Sequence, residues 1–286
     1  MAEKYWKLGI VGWPLGYSLS PLMHTAALKA AGLKGEYKEY PVKPEDLEKW
    51  LTAEAPKLDG FNVTMPHKKM VFGWINENGG SFGELAIWDR RILAVNTVKL
   101  VGGRMVGYDT DGEGFLRPLL DRAWDCSRGN VLLLGAGGAA DAIADALNRR
   151  GSRIMVWNRH SDRAESFVNA RVSVHGSGRT EAVKDLNGLS VGQCNLLVNA
   201  TPAGMKGEPD LPVDVRQLHK GQIVYDIVYQ PRETPLIQAA RKHCEVITGD
   251  EMLAAQGASS FKIWTDVDGM YPVMHKVLDE YYAGKR

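Results

Sequence analysis

The sequence predicts an α/β protein of two domains, the second built around a doubly wound parallel sheet. Its 286 residues suffice for two domains, each with its own core. Short β-like runs alternate with amphipathic helical segments along most of the chain, which is typical of sheets covered by helices. Near Asp111 the alternation restarts, and a buried strand then leads into a glycine-rich turn. We therefore expect a mixed-sheet α/β domain over residues 1–111 and a second domain over residues 112–249.

The first domain is predicted to contain five strands. A helix is expected to begin at Ser20, with Ser20 as its N-cap and Pro21 in its first turn, and to end near Gly32. The pair Gly102-Gly103 suits a tight hairpin turn between the last two strands. The strands have apolar or β-branched runs and are expected at residues 7–11, 37–42, 58–63, 95–100 and 104–106.

The second domain is predicted to repeat a strand-then-helix unit. A helix is expected from about Gly112, and a second helix begins at Gly138 and is stopped by Gly151. The strands are expected at residues 130–134, 153–157, 171–174, 195–199 and 222–227. Two helices, at residues 250–265 and 271–282, follow with no strand after them, and we expect residues 250–286 to return to the first domain and complete it.

Composition excludes several classes of protein. The 35 Lys and Arg residues nearly balance the 34 Asp and Glu residues, so a nucleic-acid partner is not expected. The longest apolar-looking stretch, residues 131–147, is broken by Asp141 and Asp145, so no membrane span is expected. No signal-peptide pattern is evident, and we expect a cytoplasmic protein. The 3 cysteines are far apart in the sequence, so neither a disulfide framework nor a metal site is expected.

A glycine-rich turn follows the buried strand of the second domain. The segment Gly135-Ala136-Gly137-Gly138-Ala139-Ala140 matches GxGxx(G/A), and the order of strand, turn and helix is the one that dinucleotide binding requires. The glycines let the backbone approach a pyrophosphate, whose charge is stabilised by the N-terminus of the helix. The sequence therefore predicts a Rossmann-type dinucleotide site. A glycine-rich turn without a ligand is the alternative.

The end of the next strand indicates which dinucleotide binds. NAD-preferring sites usually carry an acidic residue there for the ribose hydroxyls. Here the chain has Asn158-Arg159, with Arg163 one helical turn further on. No carboxylate repels a 2′-phosphate and an arginine can pair with it, which favours NADP. In the alternative, Arg159 is a solvated surface residue.

Three polar groups of the first domain are candidates for chemistry. Lys68 follows the strand at residues 58–63, at the edge of the sheet where ligands collect in α/β proteins. Asp111 lies near the domain boundary, although an acidic residue at a helix start is common. Ser18 and Ser20 flank a helix N-terminus, which attracts anions such as a carboxylate. Lys68 could equally be a solvated residue at a helix start, and Ser20 a plain cap.

A series of short motifs extends along nearly the whole chain. They are Gly12-x-Pro14, Ser18-Leu-Ser20-Pro21-x-Met23-His24, Asn62-Val-Thr64-x-Pro66-x-Lys68, Ala94-Val-Asn96-Thr97, Thr110-Asp111-Gly112, Gly135-Ala-Gly137-Gly138-Ala139, Asn158-Arg159, Asn199-Ala-Thr201, Tyr229-Gln230 and Gln256. In this order and spacing, the chain resembles the shikimate dehydrogenase family.

The resemblance implies a reaction and a role for each matching residue. The family reduces 3-dehydroshikimate reversibly to shikimate with NADPH, in aromatic amino acid biosynthesis. By resemblance, Lys68 and Asp111 are the catalytic pair. The implied substrate-binding residues are Ser18, Ser20 and Tyr229 for the carboxylate, Thr64, Asn96 and Gln256 for the ring hydroxyls, and Asn62 near them. The implied cofactor-binding residues are Gly135, Ala136, Gly137, Gly138, Ala139, Asn158, Arg159, Arg163, Thr201, Ile227 and Gly249.

The sequence departs from the family pattern at three places. Tyr17 replaces a usual His, His160 replaces a usual Thr, and residues 73–93 match poorly, with Leu93 in place of a Gly. Ser20 is intact, which favours shikimate over quinate. Two alternatives stay open: a relative that acts on quinate or another cyclic polyol acid, with NADP or NAD, and a non-catalytic NADP-binding regulatory protein. Monomer and homodimer are equally compatible with the sequence.

Overall fold

The chain divides into two units, and each has its own sheet. The computed structural model describes residues 4–16, 18–83, 94–175, 179–186, 189–209, 211 and 213–284, so Tyr17 and Leu93 lie outside the described residues. The first unit comprises Met1–Gly114 and Ala254–Arg286, and the second comprises Phe115–Leu253. The C-terminal residues thus belong to the unit that the N-terminal residues form.

The strands of the described residues are numbered along the chain. They are β1 (Tyr5–Gly12), β2 (Lys34–Pro41), β3 (Gly60–Val63), β4 (Ser81–Phe82), β5 (Thr97–Val101), β6 (Arg104–Tyr108), β7 (Asn130–Leu134), β8 (Arg153–Trp157), β9 (Thr180–Ala182), β10 (Leu196–Asn199), β11 (Ile223–Asp226) and β12 (Glu245–Thr248).

The α-helices of the same residues are numbered in the same way. They are α1 (Ser20–Ala30), α2 (Leu47–Ala53), α3 (Lys68–Glu77), α4 (Asp111–Asp121), α5 (Gly138–Arg149), α6 (Ser161–His175), α7 (Leu189–Gln193), α8 (Pro235–Ala240), α9 (Gly249–Thr265) and α10 (Tyr271–Ala283). Among the described residues, no helix combines the length and apolar character that a membrane crossing requires.

The first unit has a mixed six-stranded sheet in the order β2-β1-β3-β5-β6-β4. β1 pairs in parallel with both β2 and β3, whereas β5 is antiparallel to β3 and to β6. The hairpin between β5 and β6 turns at Gly102 and Gly103, whose φ values of 57° and 79° lie in the left-handed region that glycine adopts without strain. The predicted mixed sheet and its hairpin are confirmed.

The second unit has a parallel six-stranded sheet in the order β12-β11-β10-β7-β8-β9. Strand order reverses between β7 and β10, and ligands of doubly wound sheets bind at the carboxyl edge of such a reversal. Val131 and Leu133 pack into one core cluster, and Leu132 and Leu134 into the other, so both faces of β7 are covered. This double burial explains the continuous apolar run in the sequence.

Two local predictions are wrong. Ser20 is not the N-cap of α1: the cap is Leu19, and the Ser18 hydroxyl accepts a hydrogen bond of 3.2 Å from the Ser20 amide. Residues 171–174 belong to helix α6 rather than to a strand. Arg171 contacts Asp141, and it lies 5.2 Å from the ring of Phe167, which is one helical turn earlier. These two contacts override the β propensity of the local sequence.

Candidate active site

Lys68 and Asp111 meet at one edge of the first sheet. Lys68 begins α3, five residues after β3 ends, and Asp111 begins α4, three residues after β6 ends. The Lys68 ammonium donates a hydrogen bond to Asp111 Oδ2, and the side chains are 24% and 13% exposed. The two residues are 43 positions apart in the sequence, and the fold brings them into direct contact.

The environment of Lys68 keeps its side chain charged. Burial lowers the pKa of the Lys68 ammonium, but the negative charges of Asp111 and Asp109 and the hydrogen bond to Asp111 outweigh this, so the pKa lies above its ordinary value. Lys68 is therefore protonated at neutral pH. Because an ammonium has protons to give, this residue can act as a general acid.

Asn96 binds the other oxygen of the Asp111 carboxylate. Its Nδ2 atom donates a hydrogen bond of 2.7 Å to Asp111 Oδ1, and its Oδ1 atom accepts one of 2.9 Å from the Thr110 amide and one of 2.9 Å from the Thr97 hydroxyl. Asn96 is only 3% exposed. Its carboxamide is thus held in a single orientation, with the NH₂ group toward the carboxylate.

Asn62 lies deeper in the same polar cluster. Its Oδ1 atom accepts a hydrogen bond of 2.7 Å from the Tyr37 hydroxyl, and its Nδ2 atom donates to the Asn96 carbonyl at 3.1 Å. Burial raises the pKa of Tyr37 well above its ordinary value, while a hydrogen bond to Ser20 opposes the shift. Hydrogen bonds therefore connect Ser20, through Tyr37 and Asn62, to the Lys68–Asp111 pair.

The other predicted substrate residues of the first unit lie on neighbouring segments. Ser18 is half-buried and Ser20 is buried at the N-terminus of α1. Thr64 follows β3 directly and packs against Gly12 at the end of β1. A Cβ added to Gly12 would lie only 2.3 Å from the methyl carbon of Thr64. Gln256 lies on α9, and its backbone touches α4 at Gly114.

The glycine-rich turn of the second unit lies at the point where the strand order reverses. Gly135 has φ 117°, and a Cβ there would lie 2.9 Å from the Ala200 carbonyl oxygen, so this position requires glycine. Gly137 is the N-cap of α5, and no side chain caps the helix there. A Cβ at Gly137 or Gly138 would have no atom within 4 Å. The turn thus leaves an open space above the first amides of α5, which suits a pyrophosphate.

The first two residues after β8, Asn158 and Arg159, carry no carboxylate. Asn158 is half-buried, and its Oδ1 atom accepts a hydrogen bond of 3.0 Å from the His160 amide. Arg159 and Arg163 are exposed. Because β8 pairs with β7, the segment that carries these arginines follows the strand next to the glycine-rich turn. This donor set fits a 2′-phosphate, as NADP requires.

Thr201, after β10, is held by Asn199. The Thr201 hydroxyl donates to Asn199 Oδ1 at 2.7 Å, and the Thr201 amide donates to the same atom at 3.0 Å. Asn199 Nδ2 donates a hydrogen bond of 2.9 Å to Asp226 Oδ1. The other oxygen of this buried carboxyl group accepts a hydrogen bond of 2.7 Å from the Thr234 hydroxyl. Burial raises the pKa of Asp226 to about 6. The ends of β10 and β11 are therefore joined by a buried carboxylate.

The remaining predicted residues follow β11 and β12. The Ile227 amide donates a hydrogen bond of 3.1 Å to the Asn199 carbonyl, and a Cβ at Gly249 would lie 2.4 Å from the Ile227 oxygen. Gly249 therefore allows the start of α9 to pack on the end of β11. Tyr229 is half-buried and belongs to the second unit, whereas Ser18 and Ser20 belong to the first.

Sequence reasoning missed several members of the first-unit cluster. Thr97, Thr110 and Ser260 are each completely buried and hydrogen-bonded to one another or to Asn96. Ser260 could have been found, because it lies four residues after Gln256 and so one helical turn away. Tyr37 carries no comparable signal, since it belongs to an ordinary strand pattern.

The fold and these sites define an α/β protein with one dinucleotide-binding unit and one unit that carries a lysine–aspartate pair. Residues 10–98 match the family described as "Shikimate dehydrogenase substrate binding domain", and residues 249–278 match "Shikimate 5'-dehydrogenase C-terminal domain". The chain is 38% identical over 276 residues to a shikimate dehydrogenase (NADP(+)) of Geobacter metallireducens, with 94% of each chain covered. It belongs to the shikimate dehydrogenase family.

Solved structures show the same similarity. The shikimate 5-dehydrogenase of Thermus thermophilus, in complex with NADP(H) and shikimate, is 33% identical with a TM-score of 0.84, and the match covers 96% of this chain and 99% of that one. The quinate dehydrogenase of Corynebacterium glutamicum, in complex with NAD, is 29% identical with a TM-score of 0.84 and coverages of 96% and 99%. The fold is thus shared by members that differ in substrate and cofactor.

Proposed function

We propose that this protein catalyses the reversible NADP-dependent reduction of 3-dehydroshikimate to shikimate, in the biosynthesis of aromatic amino acids. The observation that carries the proposal is the direct contact of Lys68 with Asp111, which keeps an ammonium charged at the carboxyl edge of the first sheet. The relative from Geobacter metallireducens is named for this activity, and the Thermus thermophilus structure holds both NADP(H) and shikimate.

Lys68 and Asp111 have different roles in proton transfer. During reduction, Lys68 gives a proton to the ketone oxygen as hydride reaches the carbonyl carbon, so the C=O group becomes a CH–OH group. In the oxidation direction, Lys68 takes the hydroxyl proton back. General acid catalysis of this kind is worth about 10² to 10⁴-fold in rate. Asp111 holds the ammonium in place and keeps it charged until it transfers its proton.

Polar side chains would bind the substrate. Ser18 and Ser20, at the N-terminus of α1, would bind the carboxylate together with Tyr229. Thr64, Asn96 and Gln256, with Asn62 near them, would bind the ring hydroxyls. The buried amides and hydroxyls suit a polyol, because each hydroxyl needs both a donor and an acceptor when it leaves water.

NADP supplies or accepts the hydride when it is bound. The residues that would hold its pyrophosphate are Gly135, Ala136, Gly137, Gly138 and Ala139. Asn158, Arg159 and Arg163 would bind the 2′-phosphate and the ribose next to it. Thr201, Ile227 and Gly249 would support the nicotinamide half. Asn199 binds both Thr201 and Ile227, and Gly249 packs on Ile227. A cytoplasmic location stays a prediction from the sequence.

A second candidate is a quinate dehydrogenase, which the similarity to the Corynebacterium glutamicum enzyme favours. Rates measured side by side with shikimate and quinate, each with NADP and with NAD, distinguish the two. We expect shikimate with NADP to be the fastest pair by at least about tenfold, a difference of 1.4 kcal/mol in transition-state stabilisation. Faster oxidation of quinate would favour the second candidate. No NADPH formation with either substrate would favour a non-catalytic NADP-binding protein.

A further inference from the structure

Ser260 connects α9 to the polar cluster around Asp111. Its side chain is completely buried, and its hydroxyl oxygen lies 2.7 Å from Thr97 Oγ1, 3.0 Å from Asn62 Nδ2 and 3.2 Å from Thr110 Oγ1. It also lies 3.0 Å from the carbonyl oxygen of Gln256, one helical turn earlier. A single hydroxyl thus contacts β3, β5, the segment before α4 and the turn that carries Gln256.

Ser260 both accepts and donates in this cluster. The Asn62 amide nitrogen can only donate, so Ser260 accepts from it. The Gln256 carbonyl can only accept, so Ser260 donates to it. The Thr97 hydroxyl lies 2.7 Å from Ser260 Oγ and 2.9 Å from Asn96 Oδ1. Thr97 therefore links Ser260 to Asn96.

The contacts of Asn96 lead from Thr97 to the Asp111 carboxylate. Asn96 Oδ1 lies 2.9 Å from the Thr97 hydroxyl and 2.9 Å from the Thr110 amide, and Asn96 Nδ2 donates 2.7 Å to Asp111 Oδ1. The second oxygen of Asp111 binds Lys68. Three hydrogen bonds thus connect the Ser260 hydroxyl to the carboxylate that holds the Lys68 ammonium.

We propose that Ser260 is a positioning residue for the Lys68–Asp111 pair, acting through Thr97 and Asn96. The inference rests on the function proposed above and adds a residue to it. Ser260 touches no reacting atom. Its hydroxyl supports three side chains that contact Asn96, namely Asn62, Thr97 and Thr110, and it binds the carbonyl of Gln256.

The helix itself has other anchors. Trp264 Nε1 donates 2.9 Å to the Val98 carbonyl, and the Trp264 ring lies where a Cβ at Gly60 would be only 2.3 Å away. Removal of the Ser260 hydroxyl therefore leaves α9 attached to the sheet. A loss of activity in a variant without this hydroxyl would therefore reflect side-chain position rather than unfolding.

The test compares S260A with S259A. Ser259 is the adjacent residue on α9; it is half-buried, and its hydroxyl lies 3.4 Å from Glu113 at the surface, outside the cluster. We expect S260A to lower kcat for shikimate oxidation by about tenfold. The dissociation constant of NADP, measured by protein fluorescence, should stay within twofold of wild type. S259A should keep kcat within twofold, and S260T, which restores the hydroxyl, should recover part of the loss.

A second test measures whether the effects of the Ser260 and Thr97 variants on kcat are additive. If the two hydroxyls act through one chain, the S260A/T97V double variant should be no more than about twofold slower than T97V alone. The proposal is wrong if S260A has wild-type kcat, if S260A and T97V act additively, or if S260A weakens NADP binding as much as it slows turnover. Should S260A fail to fold, T97V and S260T decide: a T97V enzyme with wild-type kcat overturns the proposal. A wild-type protein inactive with shikimate and NADP would instead refute the proposed function.

Discussion

Gly114 and Gln256 touch through their backbones. A Cβ placed on Gly114 would lie 2.5 Å from the Gln256 Cβ and 2.7 Å from the Gln256 nitrogen, well inside contact distance. Helices α4 and α9 are therefore in close contact at Gly114, one turn after Asp111. The glycine brings Gln256 to the same edge of the first unit as the Lys68–Asp111 pair.

This close approach predicts the effect of a single methyl group. In G114A, α9 has to move away from α4, and Gln256 moves with it. We expect KM for shikimate to rise by about tenfold, from the loss of one well-placed hydrogen bond, with little change in KM for NADP. Steady-state kinetics with each ligand varied in turn checks this.

A matched control for G114A is available on another helix. Gly73 lies within α3, and a Cβ there would meet nothing within 4 Å. G73A should keep both KM values and should stabilise the protein by about 0.5 to 1 kcal/mol through helix propensity. Equal KM values for shikimate in G114A and wild type would show that the Gln256 position does not matter for substrate binding.

Arg159 sets the preference for NADP in this account. The exposed arginine follows β8, next to the glycine-rich turn, and a charge-assisted hydrogen bond to a 2′-phosphate is worth about 1.5 to 3 kcal/mol. R159A should therefore lose about ten- to a hundredfold of its preference for NADP over NAD, measured as the ratio of kcat/KM values. R128A, which removes an exposed arginine elsewhere in the same unit, should keep the ratio. An unchanged ratio in R159A would assign the 2′-phosphate to other residues.

Asp226 makes stability depend on pH. Because burial raises the pKa of this carboxyl from 3.8 to about 6, the folded protein keeps a proton between these values that the unfolded chain has already lost. Stability therefore falls as pH rises from about 4 to about 6 and then levels off. D226N lacks this titration. The free energy of unfolding of wild type, relative to D226N, should fall by about 3 kcal/mol across this range, at 1.36 kcal/mol for each pKa unit.

Urea denaturation from pH 4 to pH 7 measures this difference. E181Q, which changes an exposed carboxylate in the same unit, serves as the control and should run parallel to wild type. Parallel curves for wild type and D226N would mean that Asp226 has an ordinary pKa in the folded protein.

The sequence predicted the fold where local pattern and tertiary structure agree. The run before Gly135 is apolar because both faces of β7 are buried, and the turn after it requires glycine at position 135. The prediction failed at residues 171–174, where Arg171 in helix α6 pairs with Asp141, a residue 30 positions earlier that no local pattern contains.

The candidate site could be predicted only in part. The motifs indicated Lys68, Asp111 and Asn96. They contain Thr97 and Thr110 without a role, and they do not contain Ser260. Thr97 and Ser260 are 163 residues apart in sequence, and their contact results from the return of α9 to the first unit. Ser20 was assigned as a helix cap, whereas its amide is bound by Ser18 and its hydroxyl is available to Tyr37.

Lys68 transfers the proton in the proposed reaction. Turnover of shikimate with NADP is compared in K68A and K69A, because Lys69 is the adjacent lysine on α3 and is exposed. We predict that K68A loses about 10² to 10⁴-fold in kcat while its NADP dissociation constant stays within twofold, and that K69A keeps wild-type kcat. A K68A enzyme that turns over at the wild-type rate would show that Lys68 does not transfer the proton.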